Sequence, residues 1–164
     1  MIRAHERGDV LTLDVGGPAT MTESPAVSDL ITDRVGNGIR AVRIDLRDCA
    51  MMDSTFSGTL LAMKRQLDKI GGSLTLVSPS EHVLELLGEM GCEDFYDVET
   101  ADRIDGDWIV VAPVAVRMEK LQRSILEAHD ELAQLPGPAG TVFRTVVDEL
   151  RRTPVPSAKP PTMH

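Results

Sequence analysis

Two β-rich runs open the chain, Ile2–Glu6 and Val10–Val15, on either side of Arg7-Gly8-Asp9, and this pattern predicts a hairpin. Gly16-Gly17-Pro18 closes it. Ser24 precedes Pro25, an N-cap ahead of a proline at the first helical position, and Val27, Leu30, Ile31 and Val35 give that helix one apolar face until Gly36-Asn37-Gly38. Ala41–Leu46 is short, apolar and β-branched, hence a buried strand. From Ser54 to Ile70 the apolar residues Phe56, Leu60, Met63, Leu67 and Ile70 recur at helical spacing, and Gly71-Gly72 ends the run. Ser73–Val77 is the next strand. Ser78-Pro79-Ser80-Glu81 reads as a capping box opening a helix whose buried face is Val83, Leu84, Leu87 and Met90. Phe95–Val98 is a further strand, and Trp108–Ala112 a candidate one. Strands alternating with helices predict an α/β fold, a sheet with parallel pairs covered by helices.

The pattern changes after Ala115. Met118, Leu121, Ile125, Ala128, Leu132 and Leu135 alternate at three and four residues, Pro136-Gly137-Pro138 interrupts, and Val142, Phe143, Val146, Val147 and Leu150 continue on a second, shorter helix. The apolar face of this helical hairpin must be covered, either by packing back on the sheet domain or by forming a seam with a partner or a second copy. Residues 153–164 hold four prolines among polar residues and read as disordered. The expected division is a sheet domain over 1–113, a helical hairpin over 114–152 and a tail over 153–164.

Composition narrows the function. Only 3% of the residues are aromatic, so an aliphatic core must form from the 42% that are hydrophobic. A formal charge of −9 argues against binding nucleic acid. Cys49 and Cys92 lack metal spacing and fit a reduced cytosolic protein. No apolar run suits a signal peptide or a membrane span. His5, His82, His129 and His164 show no ligand spacing, and Asp102-x-x-Asp105-Gly106-Asp107 lacks the closing glutamate of a calcium loop. With no nucleophile elbow, phosphate loop or Ser–His–acid set, a binding module without a cofactor is expected rather than an enzyme.

The informative stretch is Asp45-Leu46-Arg47-Asp48-Cys49-Ala50-Met51-Met52-Asp53-Ser54-Thr55, running from a strand end into Phe56-Ser57-Gly58-Thr59-Leu60-Leu61. Asp53, Ser54 and Thr55 are all good caps, so capping alone could explain them. At about 100° per residue, Ser57, Gly58, Leu61, Arg65 and Asp68 share the side of Ser54, opposite Phe56, Leu60 and Leu67. That side is expected to be exposed and suited to docking another protein.

Met52-Asp53-Ser54-Thr55 resembles the signature of the STAS family, in particular the bacterial anti-sigma factor antagonists. The resemblance extends through Gly71-Gly72-Ser73-Leu74, Ser78-Pro79 and Met90-Gly91, and covers about residues 1–98. It implies a mixed sheet with helices packed on it. It further implies a cytoplasmic regulator in which Ser54, or alternatively Thr55, accepts a phosphate from a kinase that is also the anti-sigma factor, and a metal-dependent phosphatase removes it. Asp53, Ser54, Thr55, Ser57, Gly58, Leu61 and Arg65 would then form the partner surface. The sequence departs from the family at Phe56-Ser57-Gly58, where Gly-Leu-Gly is usual, and at Gly17-Pro18-Ala19-Thr20, where Gly-Glu-Leu-Asp is usual. The alternative expectation is an unphosphorylated STAS scaffold that assembles complexes, or dimers through the hairpin, with Ser54 only a cap.

Overall fold

The computed structural model describes residues 1–111 and 116–153. Its strands are β1 (Ile2–Arg7), β2 (Val10–Val15), β3 (Gly17–Ala19), β4 (Ala41–Asp45), β5 (Cys49–Met52), β6 (Ser73–Val77), β7 (Asp97–Glu99) and β8 (Ile109–Val111). The helices are α1 (Ser24–Gly36), α2 (Ser54–Lys69), α3 (Glu81–Glu89), α4 (Met118–Ala133) and α5 (Gly137–Arg152), with a 3-10 turn over Glu93–Phe95.

Among the described residues six strands form one sheet in the order β7-β6-β4-β2-β1-β8, and β3 pairs with β5 in a small separate ladder. β1 is antiparallel to β2 and β8, while β2, β4, β6 and β7 run parallel. The register aligns Leu11, Val42 and Leu74 in one row and Leu13, Ile44 and Leu76 in the next. All six are fully buried, and with Val27, Ile31, Phe56, Leu60 and Leu67 of α1 and α2 they make the aliphatic core. Alternate positions point to the other face. Charged pairs gather there: Arg3 pairs with Asp14 across the β1–β2 hairpin, and Asp45 at the end of β4 pairs with Arg47 at 2.8 Å.

Several boundaries differ from the sequence expectation. Ser24 is the first helical residue rather than a cap; its hydroxyl donates to the Thr20 carbonyl, while the Glu23 carboxylate accepts from the backbone N–H and hydroxyl of Thr20. Pro25 does hold the first turn. The third helix starts at Glu81, two residues later than the Ser78 capping box implies, because Ser80 supplies the cap by accepting from the Val83 N–H. Phe95 closes the 3-10 turn, and the strand after it is Asp97–Glu99. Ile70, the last residue of its apolar stripe, is exposed, and so is Leu84, which was expected on the buried face with Val83 and Leu87. The β3–β5 ladder was not expected at all. Of the candidate strand Trp108–Ala112, Ile109–Val111 is observed, and Ala112 lies outside the described residues, as does the tail from 154.

The C-terminal hairpin packs within the chain. α4 lies along α2 and α5 lies on α4. Both helices have 16 residues, so the second is not the shorter. Leu132, Leu135 and Phe143 join the same core as the sheet, whereas Met118, Val142 and Leu150 stay exposed. The buried half of the predicted seam, Ala128, Leu132 and Leu135, is therefore already covered without a second copy.

Candidate functional site

The site forms where the β3–β5 ladder delivers the chain to the start of α2. Asp53 donates its backbone N–H to the Ala19 carbonyl at 3.0 Å, which fixes the end of β5 beside β3. Its extended backbone, φ −90° and ψ 170°, makes it the N-cap. One carboxylate oxygen accepts from the Phe56 N–H at 2.8 Å; the other accepts from the Met21 N–H at 2.8 Å. Both oxygens are thus committed, and the side chain joins the first turn of α2 to the loop ahead of α1. Of the three candidate caps Asp53, Ser54 and Thr55, Asp53 is the one that caps α2.

Ser54 follows as the first helical residue and is half-buried. Its hydroxyl lies 3.0 Å from Nε2 of His129 on α4. The other ring nitrogen, Nδ1, lies 2.7 Å from the Ile125 carbonyl. A carbonyl can only accept, so Nδ1 carries the hydrogen, and in neutral imidazole Nε2 is then the acceptor and Ser54 the donor. The ring also packs on Phe143, with centroids 5.9 Å apart. His129 is the site residue that sequence reasoning missed. It sits 75 positions from Ser54, one step beyond a seam residue, and no local spacing links the two.

The other predicted site residues are gathered on one side of α2, but that side is not a solvent face. Thr55 is buried, which disfavours it as the alternative phosphoacceptor, and its carbonyl accepts from the Thr59 hydroxyl at 2.8 Å. Ser57 is fully buried: its hydroxyl lies 3.2 Å from the Cys92 thiol, and its carbonyl accepts from the Tyr96 hydroxyl at 2.7 Å. Burial pushes both the Cys92 thiol and the Tyr96 phenol above their ordinary ranges. At Gly58 a Cβ would stand 2.2 Å from the Ala128 carbonyl oxygen, so the backbones of α2 and α4 meet there. Leu61, expected to be exposed, is 1% exposed. Arg65 donates to Glu131 at 2.6 Å and to Gln134 at 2.8 Å. The physical reason for the correction is that α4 occupies the side of α2 on which Ser54, Gly58, Leu61 and Arg65 lie.

Among the described residues no three His, Cys, Asp or Glu side chains come close enough to hold a metal ion. No described helix is long and apolar enough to cross a membrane.

The model of the STAS domain family matches residues 1–106. The anti-sigma-B factor antagonist of Bacillus subtilis (strain 168) is 27% identical over 88 residues, which is 54% of this chain and 80% of that protein. The unphosphorylated anti-sigma factor antagonist SpoIIAA superposes with a TM-score of 0.56 at 15% identity, over 62% of this chain and 89% of its own. The phosphorylated form of the Bacillus cell fate determinant SpoIIAA superposes with a TM-score of 0.53 at 14% identity, over 62% of this chain and 92% of its own. At those identities the two structures speak for the fold. The family match ends before α4 and α5 begin.

Proposed function

This chain belongs to the STAS domain family, and on that footing we propose that it is a protein-binding regulator of the anti-sigma factor antagonist type, switched by a phosphate on Ser54. The observation that carries the reading is Ser54 itself: it heads α2 directly after a capping aspartate, and it is partly open to solvent. A phosphate there meets the positive end of the helix dipole, so the fold tolerates it. It also adds close to two negative charges to a docking face, which removes the fit of a partner selected for the neutral serine. In the transfer step a kinase moves the terminal phosphoryl of a nucleoside triphosphate to Oγ; the Oγ–P bond forms, the diphosphate leaves, and the hydroxyl proton passes to the kinase. A phosphatase reverses the switch by hydrolysis.

The proposed partners are an anti-sigma factor with serine kinase activity and that phosphatase. SpoIIAA, which shares the fold, exists in both unphosphorylated and phosphorylated forms. Asp53, Ser54 and Arg65 are the half-buried residues of the proposed face; Thr55, Ser57, Gly58 and Leu61 are its buried ones. We place the protein in the cytoplasm, in keeping with two free, buried thiols. One observation favours the scaffold reading, in which Ser54 is never modified: its hydroxyl already holds His129.

The deciding experiment is phosphosite mass spectrometry on the protein purified from its native cell, paired with capture of partners by wild type and by Ser54→Asp. Phosphoserine at 54 and loss of the captured kinase-type partner by Ser54→Asp are expected. No modification at 54, with equal capture by both proteins, refutes the switch.

A further inference from the structure

Three contacts run from one stripe of α2 to the hairpin. Ser54 reaches His129 at 3.0 Å, Gly58 abuts the Ala128 backbone, and Arg65 reaches Glu131 at 2.6 Å. Leu61 lies between the last two on the same stripe, which follows the four–three–four spacing of a single helix side, and it is buried. The stripe is the proposed docking face, and a helix is already lying on it. An amphipathic helix seated on a partner surface is a common mode of protein recognition. Here the occupant is part of the same chain.

We infer that α4 and α5 act as a built-in competitor for the docking face: the hairpin holds the chain closed, and kinase and partner act on an open form in which it has left α2. This rests on the reading of α2 as the partner face.

Polar contacts flank the apolar part of the seat: Ser54 with the buried His129, Arg65 with Glu131, and Lys120 of α4 with Asp29 of α1 at 2.6 Å, the last pair half exposed. Between them the three helices leave a cleft of about 220 Å³ whose walls mix polar side chains such as Ser28, Thr59 and Glu127 with Ala62, Met63 and Ala128. Opening would expose Leu61, Ala128, Leu132 and Leu135, so this apolar contact holds the free chain closed, and a partner covering the same stripe of α2 would offset its loss on opening.

The hydrogen bond at Ser54 couples opening to modification. With the ring hydrogen on Nδ1, Nε2 of His129 has none, so it needs the serine proton. A phosphorylated oxygen has none to give. The bond is lost on modification, and closure engages the hydroxyl that a kinase must reach, so closure disfavours phosphorylation.

The test uses the full chain carrying Leu61→Cys, labelled with iodoacetamide and read by peptide mass spectrometry. Each rate is taken relative to the same thiol in the urea-unfolded chain, with buried Cys92 as the internal reference. Opening of the hairpin predicts that the thiol introduced by Leu61→Cys reacts at least about tenfold faster than Cys92. Adding Glu131→Arg, which places like charge opposite Arg65, should raise that ratio further. Ala128→Cys repeats the measurement from the hairpin side with a smaller change, should Leu61→Cys fold poorly. If neither introduced thiol reacts faster than Cys92, with or without Glu131→Arg, the inference is overturned. The labelling is independent of any kinase. Fast labelling without phosphoserine in the cell refutes the switch but upholds the closure, whereas phosphoserine at 54 with slow labelling upholds the switch and refutes the closure.

Discussion

Gly58→Ala tests the docking of α4 by the sign of its effect. In an exposed helix interior alanine is favoured over glycine by about 0.5–1 kcal/mol, chiefly because glycine loses more conformational freedom on folding. Gly58 is an interior residue of α2 with no need for a positive φ, so α2 alone should gain from the change. The new methyl would stand 2.2 Å from the Ala128 oxygen, 2.6 Å from its carbonyl carbon and 2.9 Å from its Cα. All three are backbone atoms, so no rotamer relieves the clash. α4 must move by roughly an ångström, and overpacking of that kind costs about 1–3 kcal/mol. The overpacking loss exceeds the propensity gain, and the melting temperature should fall by about 2–4 °C for each kcal/mol lost. Urea unfolding followed by far-ultraviolet circular dichroism supplies the free energy. If α4 detaches in the folded protein, the slope against urea also falls, since less surface remains to be exposed. A Gly58→Ala protein more stable than wild type would refute the close approach of α2 and α4.

Two further outcomes follow from burial at the same helix. Leu61→Asp should cost at least the roughly 2–5 kcal/mol of a buried leucine truncation, because the carboxylate also has to be desolvated; a thermal melt within a degree or two of wild type would show that Leu61 is not in the core. Tyr96 holds its proton in the folded state above the usual phenol value of about 10, because burial disfavours the phenolate, while the unfolded chain loses it there. The resulting stability is complete below about pH 10 and declines as pH rises beyond it, at up to about 1.4 kcal/mol per pH unit. Tyr96→Phe should cost about 1 kcal/mol at neutral pH through the lost bond to the Ser57 carbonyl, and the gap to wild type should close above about pH 10; a gap constant up to about pH 11 would contradict the burial of the phenol.

The elements with strong periodicity were legible in the sequence. Leu11, Leu13, Val42, Ile44, Leu74 and Leu76 mark three strands, and Phe56, Leu60, Met63 and Leu67 mark the core side of α2; the structure buries all of them. The β3–β5 ladder was not legible, because a three-residue strand containing Pro18 and a strand with the exposed Ala50 and Met51 at its centre carry no alternation to read. The other side of α2 was misread for a different reason. Ser54, Ser57, Gly58 and Arg65 are small or polar, and polarity suggests solvent. Small residues are also what two helices need when their backbones approach closely, and that is how Gly58 is used against Ala128. Periodicity cannot separate the two uses. The pairing of Ser54 with His129 joins residues 75 apart and depends on the fold rather than on any local pattern.

The way the C-terminal segment wraps the sheet domain has a practical corollary for anyone wishing to isolate the family unit alone. A chain trimmed at residue 106, where the family match stops, would lose β8 and leave the outer side of β1 unpaired at the rim of the sheet. It would lose Trp108, whose ring stacks beneath the Arg3 guanidinium at 5.3 Å and tilts against His5. It would also strip α2 of its cover and leave Leu61 facing water. An open strand edge and a bared aliphatic helix are surfaces through which proteins self-associate. The trimmed unit would be sticky, and its oligomers would report on the missing helices rather than on the intact chain.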